Sequence, residues 1–320
     1  METHPARDRV YDVLTMGRIG VDLYPEQIGV SLARVRTFAK SLGGSPTNVA
    51  VGAARYGHRS AVITKVGDDG FGLYAREALL GFGVDDRYVG TDPALRTPIV
   101  FCEIYPPDRF PLLFYREPKA PDMNLRPDEL DYDAIRRARI LWTTGTGLSD
   151  EPSRAATLAA LEARGRDRIS VHDLDYRPVF WSSSQAAREQ QVRALEHATV
   201  AVGTLEEVAV VVGDGEPEEL ARRLLQQGLE LAVVKLGPRG VLVAGDDGME
   251  HIPAVPVEVL CGLGAGDAFG AALCHGLLEG WEPVETIRFA NAAGAYVASQ
   301  LACADAMPVE EQVRALLGRG

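Results

Sequence analysis

Residues 262–267 read Gly262-Leu263-Gly264-Ala265-Gly266-Asp267, after a β-rich run at 255–260 and ahead of an Ala-rich stretch of helical period. Glycines at this spacing let a backbone approach a ligand closely. A helix opening here would offer free N–H groups and the positive end of its dipole, a cradle for an anion. Three chemistries compete. A dinucleotide fingerprint needs glycine where Asp267 stands, and such fingerprints usually sit near the start of their domain. A Walker loop needs GxxxxGK[ST], which occurs nowhere in the chain. The third is an anion hole with a built-in base: amides hold a transferring phosphoryl group, and Asp267 takes the proton of the attacking hydroxyl. The bland alternative for Asp267 is a helix N-cap.

A second motif is Gly43-Gly44-Ser45-Pro46-Thr47-Asn48, leading into the small-residue run 49–57. Asn48 would stand near a helix start, where an amide can both donate to and accept from a polyol; a cap is again the alternative. Lysine occurs at only four positions, against 33 basic residues in all, so Lys65 and Lys235, both inside apolar strand-like runs, stand out.

These residues need elements to hold them. Strand-like runs at 10–16, 60–66, 139–143, 169–172, 199–202, 231–235 and 241–244 alternate with helical patterns at 72–80, 153–163, 185–197, 217–227, 267–279, 284–300 and 309–316. Such alternation predicts an α/β fold with a mainly parallel sheet covered on both faces. Two stretches break the rhythm, about 21–40 and 97–118: β-rich, without intervening helices, the second with a Tyr105-Pro106-Pro107-Asp108 turn. They are expected to form a small β lid over the body, with edge strands of the main sheet as the alternative.

Composition limits the partners. With 33 Lys+Arg against 45 Asp+Glu, the 320-residue chain carries a formal charge of −12, which argues against nucleic-acid binding. No apolar run reaches the ~18 residues of a membrane span. The opening METHPARDRV has no signal-peptide core. Cys102, Cys261, Cys274 and Cys303 lie far apart and read as reduced core residues of a cytoplasmic protein.

Together the two glycine motifs, at this separation, resemble the signatures of the ribokinase-like (PfkB) family of sugar kinases, and the likeness runs from Tyr11 to about Pro308. The resemblance implies a three-layer α/β sandwich with a β lid, a single kinase domain over 8–320, and ATP with Mg²⁺ as cofactors; a monovalent cation is a further candidate. It makes Asp267 the catalytic base and Gly264, Ala265 and Gly266 the anion hole. Asp22, Gly44 and Asn48 would line the sugar site. Lys235, Gly237 and Gly240 match the family's nucleotide segment, and Asn291 falls where a late helix flanks adenine. The family's NxxE motif is replaced by Gly203-Thr204-Leu205-Glu206-Glu207, so either Glu207 or Glu206 would organise Mg²⁺. Cys261 replaces a usual Asp or Asn, which weakens a monovalent-cation role.

A finer likeness, carried by residues 21–24, 38–40, 45–48, 110–117 and 175–178 and by 202–204 and 303–308, is to the family's sugar-acid kinases of inositol breakdown. It implies phosphorylation of the primary hydroxyl of 5-dehydro-2-deoxy-D-gluconate, with Arg116 meeting the substrate carboxylate and Arg177 a phosphate. Either arginine could instead pair with a neighbouring acid such as Glu117 or Asp175. Kinases of 2-keto-3-deoxygluconate, fructose or ribose are alternatives. A non-catalytic sensor on the same fold and a dinucleotide oxidoreductase belong to other classes. Exposed lid edges would suit a homodimer.

Overall fold

The computed structural model describes residues 10–318. The opening residues read for a signal core, and the first and last two of the 8–320 domain span, lie outside that range. Nine strands form one sheet: β1 (Val13–Met16), β4 (Ser60–Gly67), β5 (Val89–Asp92), β8 (Ile140–Thr144), β9 (Ile169–Asp173), β10 (Val200–Thr204), β11 (Leu231–Lys235), β12 (Val241–Gly245) and β13 (Gly248–Ile252). The order is β13-β12-β11-β10-β9-β8-β1-β4-β5. Pairing is parallel from β5 through to β11, and antiparallel only at β11–β12 and β12–β13.

A second sheet of four strands stands apart, in the order β3-β2-β6-β7: β2 (Gly20–Pro25), β3 (Phe38–Gly43), β6 (Ile99–Cys102) and β7 (Leu112–Tyr115). The two stretches that broke the strand–helix rhythm therefore pair with each other, β2 with β6 in parallel, rather than extending the large sheet.

The helices are α1 (Ser45–Arg55), α2 (Gly70–Gly81), α3 (Tyr132–Arg137), α4 (Ser153–Arg164), α5 (Ser184–Leu195), α6 (Leu205–Val212), α7 (Pro217–Leu225), α8 (Ala265–Glu279), α9 (Pro283–Ala298) and α10 (Glu310–Leu317). Successive strand residues point to opposite faces. Val13, Ile140, Trp142, Val171, Val202 and Val233 meet α1, α8, α9 and α10 on one face. Leu14, Met16 and Leu141 meet α3 and α4 on the other, where Ala201, Ala232 and Val234 meet α6 and α7. The result is three layers, with a core on each face of the sheet.

The helices α1 and α8 matter most for the site. Residues Ala268–His275 of α8 are all buried, so this helix is apolar all round and lies inside the molecule. It approaches α1 so closely that a Cβ on Gly52 would overlap the Ala271 methyl.

Candidate active site

Strands β1, β8, β9, β10 and β11 are parallel, so their C-terminal ends open on one edge, where ligands bind in open α/β sheets. The chain at those ends supplies Arg18, Arg177, Glu207 and Lys235, with Thr146 and Asp175 holding Arg18 from behind. The N-termini of α1 and α8 point at the same place, and the inner face of the small sheet covers it with Asp22, Tyr24, Val100, Cys102, Leu112 and Phe114. Between them lies a cavity of about 280 Å³.

Asp267 does not cap its helix. The cap position of α8 is Gly264, in a left-handed conformation (φ 80°) closed to most side chains. Asp267 is the third helical residue, and its carboxylate accepts a 2.7 Å hydrogen bond from Asn48 Nδ2. Asn48 does not cap α1 either: it is the fourth residue, after Gly44 at the cap. Its Oδ1 is buried with no partner. Burial pushes the Asp267 carboxyl upward, against the hydrogen bonds from Asn48 and Ser45. A carboxylate raised in this way is a better proton acceptor near neutral pH. The first-turn amides of α8 have no earlier helical carbonyl to meet, although Ala265 N makes a long 3.4 Å bond to Gly262 O just before the helix. The Lys235 ammonium lies beside this turn, 3.5 Å from where a Gly266 Cβ would stand.

Around this centre charges are arranged in two groups. Arg18 Nη2 and Arg177 Nε both hold Asp175, at 2.7 and 2.9 Å. Burial pushes Asp175 up, but the two guanidiniums outweigh it and hold the carboxyl below its usual range. Asp175 is also the one non-glycine among the described residues with positive φ (28°), a strained backbone at a ligand-facing edge. In the second group, Lys235 is raised despite burial by Asp173, Glu207 and Asp267, while burial raises Asp173. On the roof, burial pushes Asp22 up to about 7, with Arg18 opposing and Asp267 adding to the shift.

Of the residues singled out from sequence, Asp22, Gly44, Asn48, Arg116, Arg177, Lys235, Gly264, Gly266, Asp267 and Glu207 all line this cavity. Ala265 opens α8 between two of them. Arg116 spends Nη2 on both oxygens of buried Asp122, at 2.9 and 2.8 Å, and its guanidinium lies 5.5 Å from the Phe180 ring. Arg177 is exposed and takes the alternative partner, Asp175. Glu206 is a correction. It is exposed and faces away, because one residue along α6 turns the side chain by about 100°. Glu207 alone faces the cavity, its oxygens accepting from the amides of Thr204 and Tyr176. Gly237, Gly240 and Asn291 are not among the cavity's walls. Two of them meet segment 252–254: a Cβ on Gly240 would strike it, and Asn291 Nδ2 donates to Pro253 O at 2.7 Å, whereas Gly237 has open space where a Cβ would stand.

Sequence reading passed over Arg18, although it stands between Gly17 and Gly20 at the end of the first strand. A cation between two turn glycines at a strand end was the available signal. The contact of Tyr24 Oη with Cys303 Sγ, 2.6 Å, joins residues 279 apart and had no local signal.

This fold, with a carboxylate at a glycine-led helix start facing a roofed cavity, belongs to a class of phosphotransferases. The family model for pfkB family carbohydrate kinases matches residues 11–310, and the chain belongs to that family. It is a carbohydrate kinase, transferring a phosphoryl group to an alcohol. Among curated relatives, the 5-dehydro-2-deoxygluconokinase of Geobacillus kaustophilus (strain HTA426) is 34% identical over 94% of this chain and 92% of its own length. That of Clostridium tetani (strain Massachusetts / E88) is 33% identical over 95% and 91%. Among solved structures, a fructokinase double mutant from Vibrio cholerae O395, bound to fructose, ADP and potassium ion, superposes with TM-score 0.84 at 27% identity, covering 97% of this chain and all of that one. No helix among the described residues is long and apolar enough to cross a membrane.

Proposed function

We propose that this chain transfers the γ-phosphoryl group of ATP to the primary hydroxyl of 5-dehydro-2-deoxy-D-gluconate, a step of inositol breakdown, in the cytoplasm. One observation carries the reading: Asp267, held by Asn48 at the open end of α8, faces a roofed cavity into which three arginines project. The relatives named 5-dehydro-2-deoxygluconokinase over most of the chain supply the choice of sugar acid.

The geometry supports the following division of roles. Asn48 Oδ1, buried and unpartnered, accepts from a substrate hydroxyl, and Asp22 and the Gly44 backbone hold others. Arg116, at the edge of the roof, meets the substrate carboxylate. Asp267 takes the proton of the acceptor hydroxyl. The amides of Gly264, Ala265 and Gly266, with Lys235 beside them, stabilise the charge of the transferring group. Arg177 contacts donor phosphate. Gly237, with Gly240 and Asn291 beside segment 252–254, shapes the flank toward the nucleotide. The small sheet acts as a lid and excludes water.

Glu207 suits Mg²⁺, a hard cation that keeps much of its water shell; it would hold the ion, which neutralises phosphate charge when bound. Cys261 does not suit a monovalent cation, since burial raises its thiol to about 11 and a neutral thiol offers no oxygen. We therefore assign that ion no side chain. A second copy would dock on the outer face of the lid, where Leu113 and Tyr115 are exposed beside Phe101 and Phe38.

The test is ADP release with Mg-ATP against 5-dehydro-2-deoxygluconate, 2-keto-3-deoxygluconate, fructose, ribose and buffer. The first compound is expected to give the highest kcat/KM. Preference for fructose or ribose would overturn the sugar-acid reading while leaving the kinase assignment intact.

A further inference from the structure

At the end of α8 remote from Asp267, two imidazoles and a carboxylate converge. His275 and Glu279 stand four residues apart and so share a helix face. His58 lies in the turn between α1 and β4. One ligating atom from each of the three lies within 4.8 Å of the others. His58 Nε2 and His275 Nδ1 are 2.8 Å apart. His275 is only 3% exposed, and its Nε2 has no hydrogen-bond partner. The carboxylate of Glu310 lies 3.7 Å from that nitrogen. Tyr56 stacks on the imidazole at 4.9 Å, and Trp281 and Phe289 close other sides at 4.9 and 5.5 Å.

Two neutral imidazoles in direct contact satisfy one proton between them and leave a buried nitrogen orphaned. A metal-bound histidine has a different pattern: one ring nitrogen ligates, and the other gives its N–H to a carboxylate, which orients the ring. His275 has that disposition, with Nδ1 toward His58 and Nε2 toward Glu310.

We propose that His58, His275 and Glu279 form a binding site for a transition-metal dication of the Zn²⁺ class, with Glu310 orienting His275. Two imidazole nitrogens and one carboxylate oxygen suit Zn²⁺, Ni²⁺, Co²⁺ or Cu²⁺, and not the hard ions Mg²⁺ and Ca²⁺. Nitrogens about 2.0–2.1 Å from Zn²⁺ at tetrahedral angles lie about 3.3 Å apart, so the imidazole pair must open by about half an ångström. The site allows this, because His58 is half-buried on a turn and Glu279 is exposed at the last residue of its helix. Charge is near balance around it: Asp12 and Arg139 face His58, and Arg314 pairs with Glu310 at 2.7 Å.

The ion would fasten the turn after α1 to the end of α8. These are the two helices whose opposite ends bring Asn48 to Asp267. His275 is eight residues from Asp267, about 12 Å along the axis, so the ion acts on the stability of the helix pair and does not touch the reacting groups.

The test uses the full chain without an affinity tag, stripped with EDTA and returned to excess Mg²⁺. Zn²⁺ is titrated calorimetrically, and Ni²⁺ by quenching of tryptophan fluorescence, since Trp281 adjoins His275. The expected result is one-to-one binding and a Tm raised by several degrees. His58→Asn and Glu279→Gln should each weaken binding at least tenfold while leaving the metal-free Tm and the kinase activity unchanged. Should His58→Asn fail to fold, Glu279→Gln, at an exposed helix end, still decides. No binding by the unaltered protein, or equal binding by the His58→Asn/Glu279→Gln double variant, would overturn the proposal.

Discussion

Asp267 and Asp22 are both carboxyls raised by burial, yet they are expected to respond to substitution in opposite senses. Asp267→Asn removes the proposed proton acceptor and keeps the shape, so kcat should fall about a hundred- to ten-thousandfold with ATP binding retained; single-turnover kinetics and a nucleotide titration would measure both. Asp22 holds its proton to about pH 7 in the folded state, against 3.8 as the ordinary value. Between those pH values the folded chain carries a proton that the unfolded chain has released. Stability therefore declines as pH rises through that window, and the penalty is complete above it. Asp22→Asn should be more stable than the unaltered chain at pH 8, by about 1–3 kcal/mol, and no more stable at pH 4. Urea midpoints at the two pH values test this, and KM for the sugar should rise in the same variant. For Arg116→Ala, KM for sugar acids should rise about tenfold or more and KM for neutral sugars little. Because that change strands buried Asp122, the measurement belongs in the Asp122→Asn background.

Helix packing transmits to the site. A Cβ at Gly52 would overlap Ala271, in the middle of the interface that aligns Asn48 with Asp267. Gly52→Ala should cost about 1–3 kcal/mol by overpacking and lower kcat as the two helix starts separate. Gly81→Ala, at a position with open space around it, should leave both unchanged. Thermal unfolding and kcat on the pair of variants read the effect. The same packing explains why α8 is small-residue-rich and buried all round: bulkier side chains would push the Asp267 end of the helix out of the cavity.

For the whole molecule, the small sheet has two jobs under the proposed function, to roof the cavity and to meet a second copy. Strand alternation separates them. Leu112 and Phe114 face inward to the cavity, while Leu113 and Tyr115 face out. Tyr115→Lys should therefore shift the sedimentation profile toward monomer without emptying the inner face. An unchanged profile would remove the lid from the assembly.

Local patterns already carried much of this. The α/β rhythm was readable because buried parallel strands are near-continuous apolar runs and their covering helices are periodic. Two short strands escaped: β5 (Val-Gly-Thr-Asp) has one large apolar residue, and β13 is exposed in four of its five residues. The glycine-led starts of α1 and α8 could be picked out because helix termini and close backbone approach demand particular residue types. Roles that depend on what lies across the fold could not. Sequence left Asp267 and Asn48 open between capping and chemistry, and favoured Glu207 by alignment while leaving Glu206 open. The cap positions fall to Gly264 and Gly44, packing then joins Asn48 to Asp267 across 219 residues, and the turn of α6 separates the glutamates. Residue type and spacing constrain what a segment can do locally, whereas the partner of a buried charge is set by chain segments that meet only after folding.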